Sequence, residues 1–137
     1  MIEPFHERTT VHGMTFGLST AGYDIRLKQD ITLHPGDFVL ASAIEKFTIP
    51  NDILAIVHDK SSLARRGLSV FNTVVESGWI GFLTLELKNQ GHDTLLMVAG
   101  SPIAQLIFHR LDMPSDQPYV GKYQDQPDRP VAAIKAT

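Results

Sequence analysis

Glycine and proline interrupt this chain about every ten residues, and this spacing restricts its fold more than any other feature of the sequence. The segments between the interruptions are short and rich in β-branched and aromatic residues. They cover residues 23–27, 37–41, 44–49, 53–58, 68–71, 80–88, 94–98 and 103–111. Short strands separated by regular turn signals predict an all-β sandwich or barrel. A type II turn is expected where Pro35 and Gly36 adjoin, and residues 61–66 form the one short helix.

The composition limits the classes of function. At 137 residues the chain is long enough for one domain with a real core. Its net charge of −3 argues against a general nucleic-acid binder, which would carry a broad basic excess. The lack of cysteine excludes disulfides and thiolate metal sites. Because no apolar run approaches the ~18 residues of a membrane span, and residues 1–5 do not resemble a signal peptide, we expect a soluble cytoplasmic protein with no membrane partner.

The last part of the chain differs in composition from the rest. From Met113 onward proline, aspartate and glutamine accumulate without periodicity. We therefore divide the chain into a β domain, residues 1–112, and an arm, residues 113–137, that is either mobile or docked on a partner. A disordered polar tail is the plainer interpretation of the same composition.

Residues 58–68 have the composition of an anion-binding site. They include two hydroxyls and three cations: Ser61, Ser62, Lys60, Arg65 and Arg66. The serines suit the N-cap of a short helix, and backbone N–H groups, hydroxyls and cations together favour phosphate. The common alternative is a capped helix with solvent-facing cations, and Arg66 is expected to be a surface residue.

The run over residues 83–88, Leu-Thr-Leu-Glu-Leu-Lys, alternates apolar and polar side chains. In a strand this alternation puts the leucines on one face and Thr84, Glu86 and Lys88 on the other. By pattern alone the second face is a solvated one. Glu86 is nevertheless a lone carboxylate in the middle of an apolar strand, downstream of a candidate phosphate site, and this combination suggests nucleotide chemistry.

Several segments, in the same order, resemble the dCTP deaminase and dUTPase superfamily. The general likeness is carried by residues 60–65, 84–87 and 104–108. The deaminase branch is favoured by residues 2–5 with 21–27, and by residues 122–126 with 130–133. The resemblance implies a distorted jelly-roll β-barrel of the dUTPase-like type, assembled as a homotrimer with active sites between subunits.

The resemblance also implies catalytic roles. In dCTP deaminases the glutamate matching Glu86 activates the attacking water and carries its proton to the leaving ammonia, whereas dUTPases use no acid on this strand. Ser61 would help to hold that water, and Arg65 would complete the site. Ser62 and Lys60 would contact phosphate oxygens. Lys60 stands where many relatives have arginine, so that contact lacks a bidentate fork.

Other motif positions have weaker support. Asp24 lies in the first family motif, although local turn hydrogen bonds explain it equally well. Gln105 is either structural or a phosphate ligand. Tyr119, Lys122 and Gln126 lie in an arm that relatives fold over the nucleotide, with the lysine and glutamine on the phosphates. Both branches carry Mg²⁺ on the triphosphate, so no metal site formed by the protein alone is expected.

Residues 71–79 match the hairpin that cradles the base and sugar in relatives. The candidate contacts are Asn72, Thr73, Glu76 and Trp79. The hairpin is shorter than in most relatives, and Glu76 stands where dUTPases have the aspartate that activates water. One extra methylene would displace that group. By the same resemblance we expect a short family member without the helix that precedes the segment matching Ile2 in relatives.

We therefore predict hydrolytic deamination of dCTP to dUTP and ammonia, which in some relatives continues to dUMP and diphosphate. The motif of zinc deaminases is absent, so no zinc is expected. Two alternatives stay open. A dUTP diphosphatase is favoured by residues 21–24, which are closer to that branch. A nucleotide-binding regulator without turnover is motivated by the shortened hairpin, since one fold serves many functions.

Overall fold

The computed structural model describes residues 1–135 and is all-β with one short helix, as predicted. The strands are β1 (Ile2–Glu3), β2 (Thr9–Val11), β3 (Met14–Leu18), β4 (Tyr23–Arg26), β5 (Ile31–Leu33), β6 (Phe38–Thr48), β7 (Ile53–Asp59), β8 (Leu68–Val70), β9 (Val74–Val75), β10 (Ile80–Asn89), β11 (Leu95–Met97) and β12 (Pro102–Arg110). The helix is α1 (Ser61–Ala64), which lies between β7 and β8. Among residues 1–135, no helix has the length and apolar character needed to cross a membrane.

Two main sheets enclose the core. One has the order β1-β6-β10-β8, and the other β2-β3-β4-β12-β7-β9; β5 and β11 form a separate pair. The inward faces bury aliphatic and aromatic side chains completely, among them Leu27, Phe47, Leu85 and Leu106. Burial of such side chains contributes about 1.5–3 kcal/mol each, so this layer is the main source of stability.

Strand β6 belongs to the first sheet and also bridges Leu27, the residue that follows β4 of the second sheet. The sequence suggests two strands, residues 37–41 and 44–49, but the structure has a single strand with a register shift. Between the pairs Phe82–Lys46 and Thr84–Ser42, β6 turns away from β10, and Ala43 bridges Leu27. The shift is therefore a bulge that bends β6 from one sheet toward the other.

The amino-terminal hairpin β2–β3 was not predicted because its glycines look like interruptions. Gly13 lies in the hairpin turn with φ +75, whereas Gly17 lies inside β3. A Cβ at Gly17 would lie 2.5 Å from the carbonyl oxygen of Glu7, so this glycine permits a close approach of two backbones. The predicted type II turn is confirmed: Gly36 has φ +86, and the Asp37 N–H donates to the His34 carbonyl at 2.9 Å.

Residues 113–135 pack against their own barrel. The Trp79 indole N–H donates to the Tyr123 carbonyl at 2.7 Å, and Gln126 forms a parallel bridge with Gly81. Gly81 has φ +151, and a Cβ there would lie 2.7 Å from the Gln126 nitrogen, so only glycine allows the arm to dock. The sequence predicted a mobile or partner-docked arm; the structure docks it on the same chain. The boundary at residue 112 stays a prediction, and residues 136–137 lie outside the described range.

Candidate active site

A cavity of about 660 Å³ opens beside the middle of β10. Here β10 passes from one neighbour to another: the arm pairs with it up to Phe82, and the Phe71 N–H donates to the Glu86 carbonyl at 3.1 Å. The side chains of Thr84 and Glu86 line the space between these neighbours. We call this space the Glu86 cavity. Its volume lies within the range of about 300–1,000 Å³ that is typical of small-molecule sites.

Glu86 is the central ionisable group of this cavity. It lies opposite Leu40 of β6 and is half-buried, and desolvation by this burial raises the pKa of its carboxyl above the usual 4.5. A hydrogen bond from its own backbone acts in the opposite direction but is the smaller effect. Phe38 and Phe71 form an exposed aromatic pair in the same lining, with ring centroids 5.8 Å apart. An acid of raised pKa in an aromatic cavity suits proton transfer on a flat heterocycle.

The structure brings six of the predicted site residues into the Glu86 cavity. They are Thr73, Glu76, Trp79, Glu86, Tyr119 and Gln126. Asn72 is exposed and outside this lining, and Lys122 donates from Nζ to the Ile134 carbonyl at 2.6 Å. Residues of the 71–79 segment, Glu86 and residues of the arm therefore meet in one cavity. Asn72 and Lys122 are the predicted site residues of these segments that do not line it.

The predicted anion segment lies elsewhere in the same chain. Helix α1 includes Ser61 and Ser62 in its first turn, and its N-cap is Lys60, which makes no side-chain cap bond. The expectation that a serine caps this helix is therefore wrong, because both serines already have helical positions. The helix ends at Ala64 rather than at residue 66, and Arg65 is its C-cap. Both hydroxyls and both arginines are exposed, which leaves them accessible to an anion.

Lys60 is turned toward β4. Its Nζ lies 2.9 Å from Oδ2 of Asp24, and both side chains are largely buried. Asp24 is 4% exposed, and its second oxygen, Oδ1, is buried without a hydrogen-bond partner among residues 1–135. A buried carboxylate needs such a cation, since an unpaired charge of this kind costs several kcal/mol. Lys60 therefore has a structural role beside Asp24, and its contact to phosphate stays a prediction.

Three neighbouring strands place polar residues in one row beside this ion pair. Gln105 of β12 is directly opposite Asp24 of β4 on one side and His58 of β7 on the other. Its amide nitrogen donates to Ser19 Oγ at 3.0 Å. We call Asp24, Gln105, His58 and Lys60 the polar row. Residues 60–65 and the rest of the polar row do not line the Glu86 cavity, so the predicted site residues of one chain lie in two separate places, which we call the two half-sites.

Two polar residues of the cavity lining, Thr84 and Tyr123, are not among the predicted site residues. Thr84 lies on the same face of β10 as Glu86, and the alternation that singled out Glu86 applies to it equally. Tyr123 lines the cavity from the arm, and its amide donates to the Tyr119 hydroxyl at 3.0 Å. Tyr123 lies within residues 122–126, so the tail motif that includes Lys122 and Gln126 could have singled it out. Within residues 1–135, His, Asp and Glu side chains do not gather in threes as a metal cage would require.

Comparison with solved structures supports the fold. The dUTPase of EIAV superposes with a TM-score of 0.65 at 23% identity, over 89% of this chain and 98% of that one. A mutant dUTPase from phage phi11 of S. aureus, described with a structural Mg(II) ion, gives 0.65 at 16% identity over 85% and 94%. At these identities the likeness concerns the fold alone. It confirms the predicted dUTPase-like, distorted jelly-roll barrel.

Comparison with curated sequences identifies the family. The dCTP deaminase of Halorubrum lacusprofundi is 41% identical over 77% of this chain and 54% of its own length. That of Acidobacterium capsulatum is 32% identical over 92% and 87%. A "dCTP deaminase, dUMP-forming" of Kocuria rhizophila is 41% identical over 66% and 48%. The chain thus spans about half the length of two of these three relatives.

A family model described as dCTP deaminase-like matches residues 4–111. This range includes the polar row, α1 and the whole of β10. It ends before the arm, whose contacts with the Glu86 cavity are known from the structure alone. On the sequence match and the fold together, this chain belongs to the dCTP deaminase-like family.

Proposed function

We propose that this chain is a hydrolase that deaminates dCTP to dUTP and ammonia. The observation that carries the proposal is Glu86: a half-buried carboxylate of raised pKa in a cavity of nucleotide size. Hydrolytic deamination needs one group that can first accept a proton and then return it. A carboxyl whose pKa is shifted toward neutrality suits both steps better than an ordinary glutamate.

The proposed reaction balances around Glu86. A water molecule loses a proton to the Glu86 carboxylate while its oxygen bonds to C4 of the cytosine. The proton then passes from Glu86 to the C4 amino group, the C4–N bond breaks, and ammonia leaves. The products are dUTP and ammonia, and Glu86 returns to its ionised form. Zinc has no part in this scheme, because the carboxylate itself activates the water.

The two half-sites lead to a proposal about assembly. Ser61 and Arg65 are exposed on one part of the barrel, whereas Glu86 lines a cavity on another. We propose that the complete site forms between two subunits of a homotrimer, so that the residue 60–65 segment of one chain faces the Glu86 cavity of the next. The alternative, one site within one chain, would require α1 to reach the Glu86 cavity, which it does not line.

The phosphate side of the site contains cations and one unpaired carboxylate oxygen. Lys60, Ser62 and Gln105 are the proposed phosphate contacts, and Lys122 would join them from the arm. Mg²⁺ would enter with the triphosphate and neutralise part of its charge. The buried Oδ1 of Asp24 suits such a hard cation or its water, since oxygen ligands are what Mg²⁺ prefers.

A second activity is supported by the position of Glu76 in the cavity lining. Glu76 lines the same cavity as Glu86, where it could activate water toward the triphosphate of dUTP. The dUMP-forming name of the Kocuria relative agrees with such a continuation. Because the proposed substrates are free nucleotides, we place the activity in the cytoplasm, with no nucleic-acid partner. A pure dUTP diphosphatase and a nucleotide-binding regulator are the competing functions.

The decisive experiment is chromatography of dCTP and dUTP after incubation with the purified protein and Mg²⁺, with ammonia measured in parallel. Conversion of dCTP to dUTP with equimolar ammonia is the expected result, and dUMP as end product would add the second activity. Consumption of dUTP alone would replace the proposal with a diphosphatase. Binding of either nucleotide without turnover would replace it with a regulator.

A further inference from the structure

Thr84 has a hydrogen-bonding position that the proposed chemistry does not explain. Its side chain is 9% exposed and lies two positions before Glu86 on the same face of β10. The Gln126 amide nitrogen donates to Thr84 Oγ1, and the Val131 N–H donates to the same oxygen at 3.0 Å. A hydroxyl oxygen accepts two hydrogen bonds, so the arm uses the whole acceptor capacity of this group.

The two donors bracket a short loop of the arm, residues 127–130. Up to Gln126 the arm is held by its backbone: the Asp125 N–H donates to the Ile80 carbonyl at 2.8 Å, and the Phe82 N–H donates to the Gln126 carbonyl at 3.1 Å. Beyond Gln126 the Arg129 N–H donates to the Pro127 carbonyl within the loop at 2.8 Å, and the Val131 N–H then donates to the Thr84 hydroxyl of β10. The arm therefore consists of a strand-like base, residues 119–126, and a distal part, residues 127–135.

The distal part also forms a wall of the Glu86 cavity. Val131 and Ala133 line it together with Glu86 and Thr84, and Gln126, at the end of the base, lines it as well. The other attachments of the distal part involve exposed groups. Lys28 pairs with Asp128 at the surface, the Ile134 N–H donates to the Tyr123 hydroxyl at 3.1 Å, and Lys122 Nζ donates to the Ile134 carbonyl at 2.6 Å. Surface pairs of this kind contribute little, so the buried Thr84 bonds have the larger share in fixing this wall.

From these contacts we propose that Thr84 is a positioning residue for the substrate: its hydroxyl fixes the distal arm, and the fixed arm completes the wall against which the nucleotide binds. This inference rests on the proposed function for its substrate. Thr84 itself takes no part in proton transfer. Its removal should weaken nucleotide binding and leave the chemical step nearly intact.

The test compares Thr84→Val, which keeps the shape and removes the acceptor, with Thr84→Ser, which keeps the acceptor. Hydrogen exchange followed by mass spectrometry measures peptides from residues 127–135. Emission of Trp79, the single tryptophan, reports on the base of the arm through its bond to Tyr123. Thr32→Val, at an exposed position of β5 outside the cavity, is the control for valine in a strand.

In Thr84→Val we expect faster exchange in residues 127–135, unchanged Trp79 emission, and a KM for dCTP raised about tenfold with kcat changed less than about twofold. Thr84→Ser should restore KM and exchange, and Thr32→Val should match the wild type. Unchanged exchange would overturn the proposal, and so would faster exchange with unchanged KM.

If the chain turns over neither nucleotide, the proposed function fails but the role of Thr84 is still tested. The affinities for dCTP and dUTP are then measured by calorimetry in place of KM. Weaker binding by Thr84→Val, with recovery in Thr84→Ser, supports the positioning role whatever the reaction is. Equal affinities in wild type and Thr84→Val contradict it.

Discussion

The two half-sites hold their carboxylates in opposite ways. Asp24 is the more deeply buried, at 4% exposure, and Lys60 neutralises it at 2.9 Å. Glu86 is only half-buried, and its pKa is raised because desolvation outweighs the one backbone hydrogen bond that opposes it. The two carboxylates therefore differ in whether a cation neutralises them, and the depth of burial does not decide their roles. Asp24, which Lys60 neutralises, belongs to the fold, whereas Glu86 is available for proton transfer.

The largest expected effect is a loss of deamination rate on replacing Glu86, the acid of the Glu86 cavity that no cation within residues 1–135 neutralises. In Glu86→Gln we expect kcat for deamination to fall by about 10²–10⁴-fold, because the amide can neither accept nor return a proton. Binding of dCTP should be largely kept. Glu76→Gln is the matched change at the other cavity acid, and it should lower deamination much less. Ammonia release measures both, and full activity in Glu86→Gln would disprove the mechanism.

The next largest expected effect is a loss of stability on removing Lys60, the cation that neutralises Asp24. Lys60→Ala should lower the free energy of unfolding by about 3 kcal/mol, because it leaves the buried Asp24 carboxylate without its cation. Lys28→Ala removes a comparable lysine from an exposed pair with Asp128, and it should cost less than about 1 kcal/mol. Urea denaturation measures both variants.

The double variant Lys60→Ala with Asp24→Asn controls this result, since it removes the stranded charge together with its partner. We expect it to recover part of the lost stability. Equal losses in Lys60→Ala and Lys28→Ala would mean that the ion pair of the polar row is no different from a surface pair.

A mixing experiment asks whether the half-sites of different chains combine. Ser61→Ala and Glu86→Gln should each be nearly inactive alone. After the two are unfolded together and refolded as mixed trimers, roughly a quarter of the sites receive both intact half-sites, and activity should return to that level. Ammonia release by the mixture, against each variant refolded alone, gives the result. A mixture as inactive as its components would place the whole site in one chain.

The smallest effect concerns stability and pH. Since burial raises the pKa of Glu86 above 4.5, the native state binds this proton more tightly than the unfolded state. The wild type therefore loses stability as pH rises through the native pKa, and Glu86→Gln does not. At pH 7 the variant should be more stable by less than about 1 kcal/mol, since the carboxylate is half-solvated. Below pH 4.5 the difference should disappear, as thermal unfolding across pH would show.

The sequence predicts the fold class and most of the long strands because alternation and turn residues are local signals. It misses the β2–β3 hairpin, where Gly17 serves a backbone contact rather than a turn. It divides β6 in two, because the bulge beside Thr84 depends on a partner strand about forty residues away. Local patterns of this kind predict each strand separately. They carry no information on how one strand pairs with another that is distant in the sequence.

The candidate site likewise contains residues that local motifs reveal and contacts that they do not. Glu86 and residues 60–65 are recognisable from their motifs, and Glu86 lines the cavity. The Lys60–Asp24 pair and the bond from Gln126 to Thr84 join residues far apart in sequence, so no pattern could reveal them. The docking of the arm depends on Gly78 and Gly81, where a Cβ would lie 2.7 Å from Pro118 and from Gln126 respectively. In the sequence these two glycines look like ordinary turn residues.

The bridge between Gln126 and Gly81 has a consequence for solubility. The arm covers the part of β10 that β8 does not reach, so it occupies a strand edge that would otherwise present free N–H and C=O groups. Cleavage between Met113 and Tyr119 would release that cover next to the buried Trp79 and the aromatic lining of the cavity. An open edge beside apolar side chains is a template for pairing with another chain. Proteolytic nicking of this segment should therefore convert an active preparation into an aggregating one.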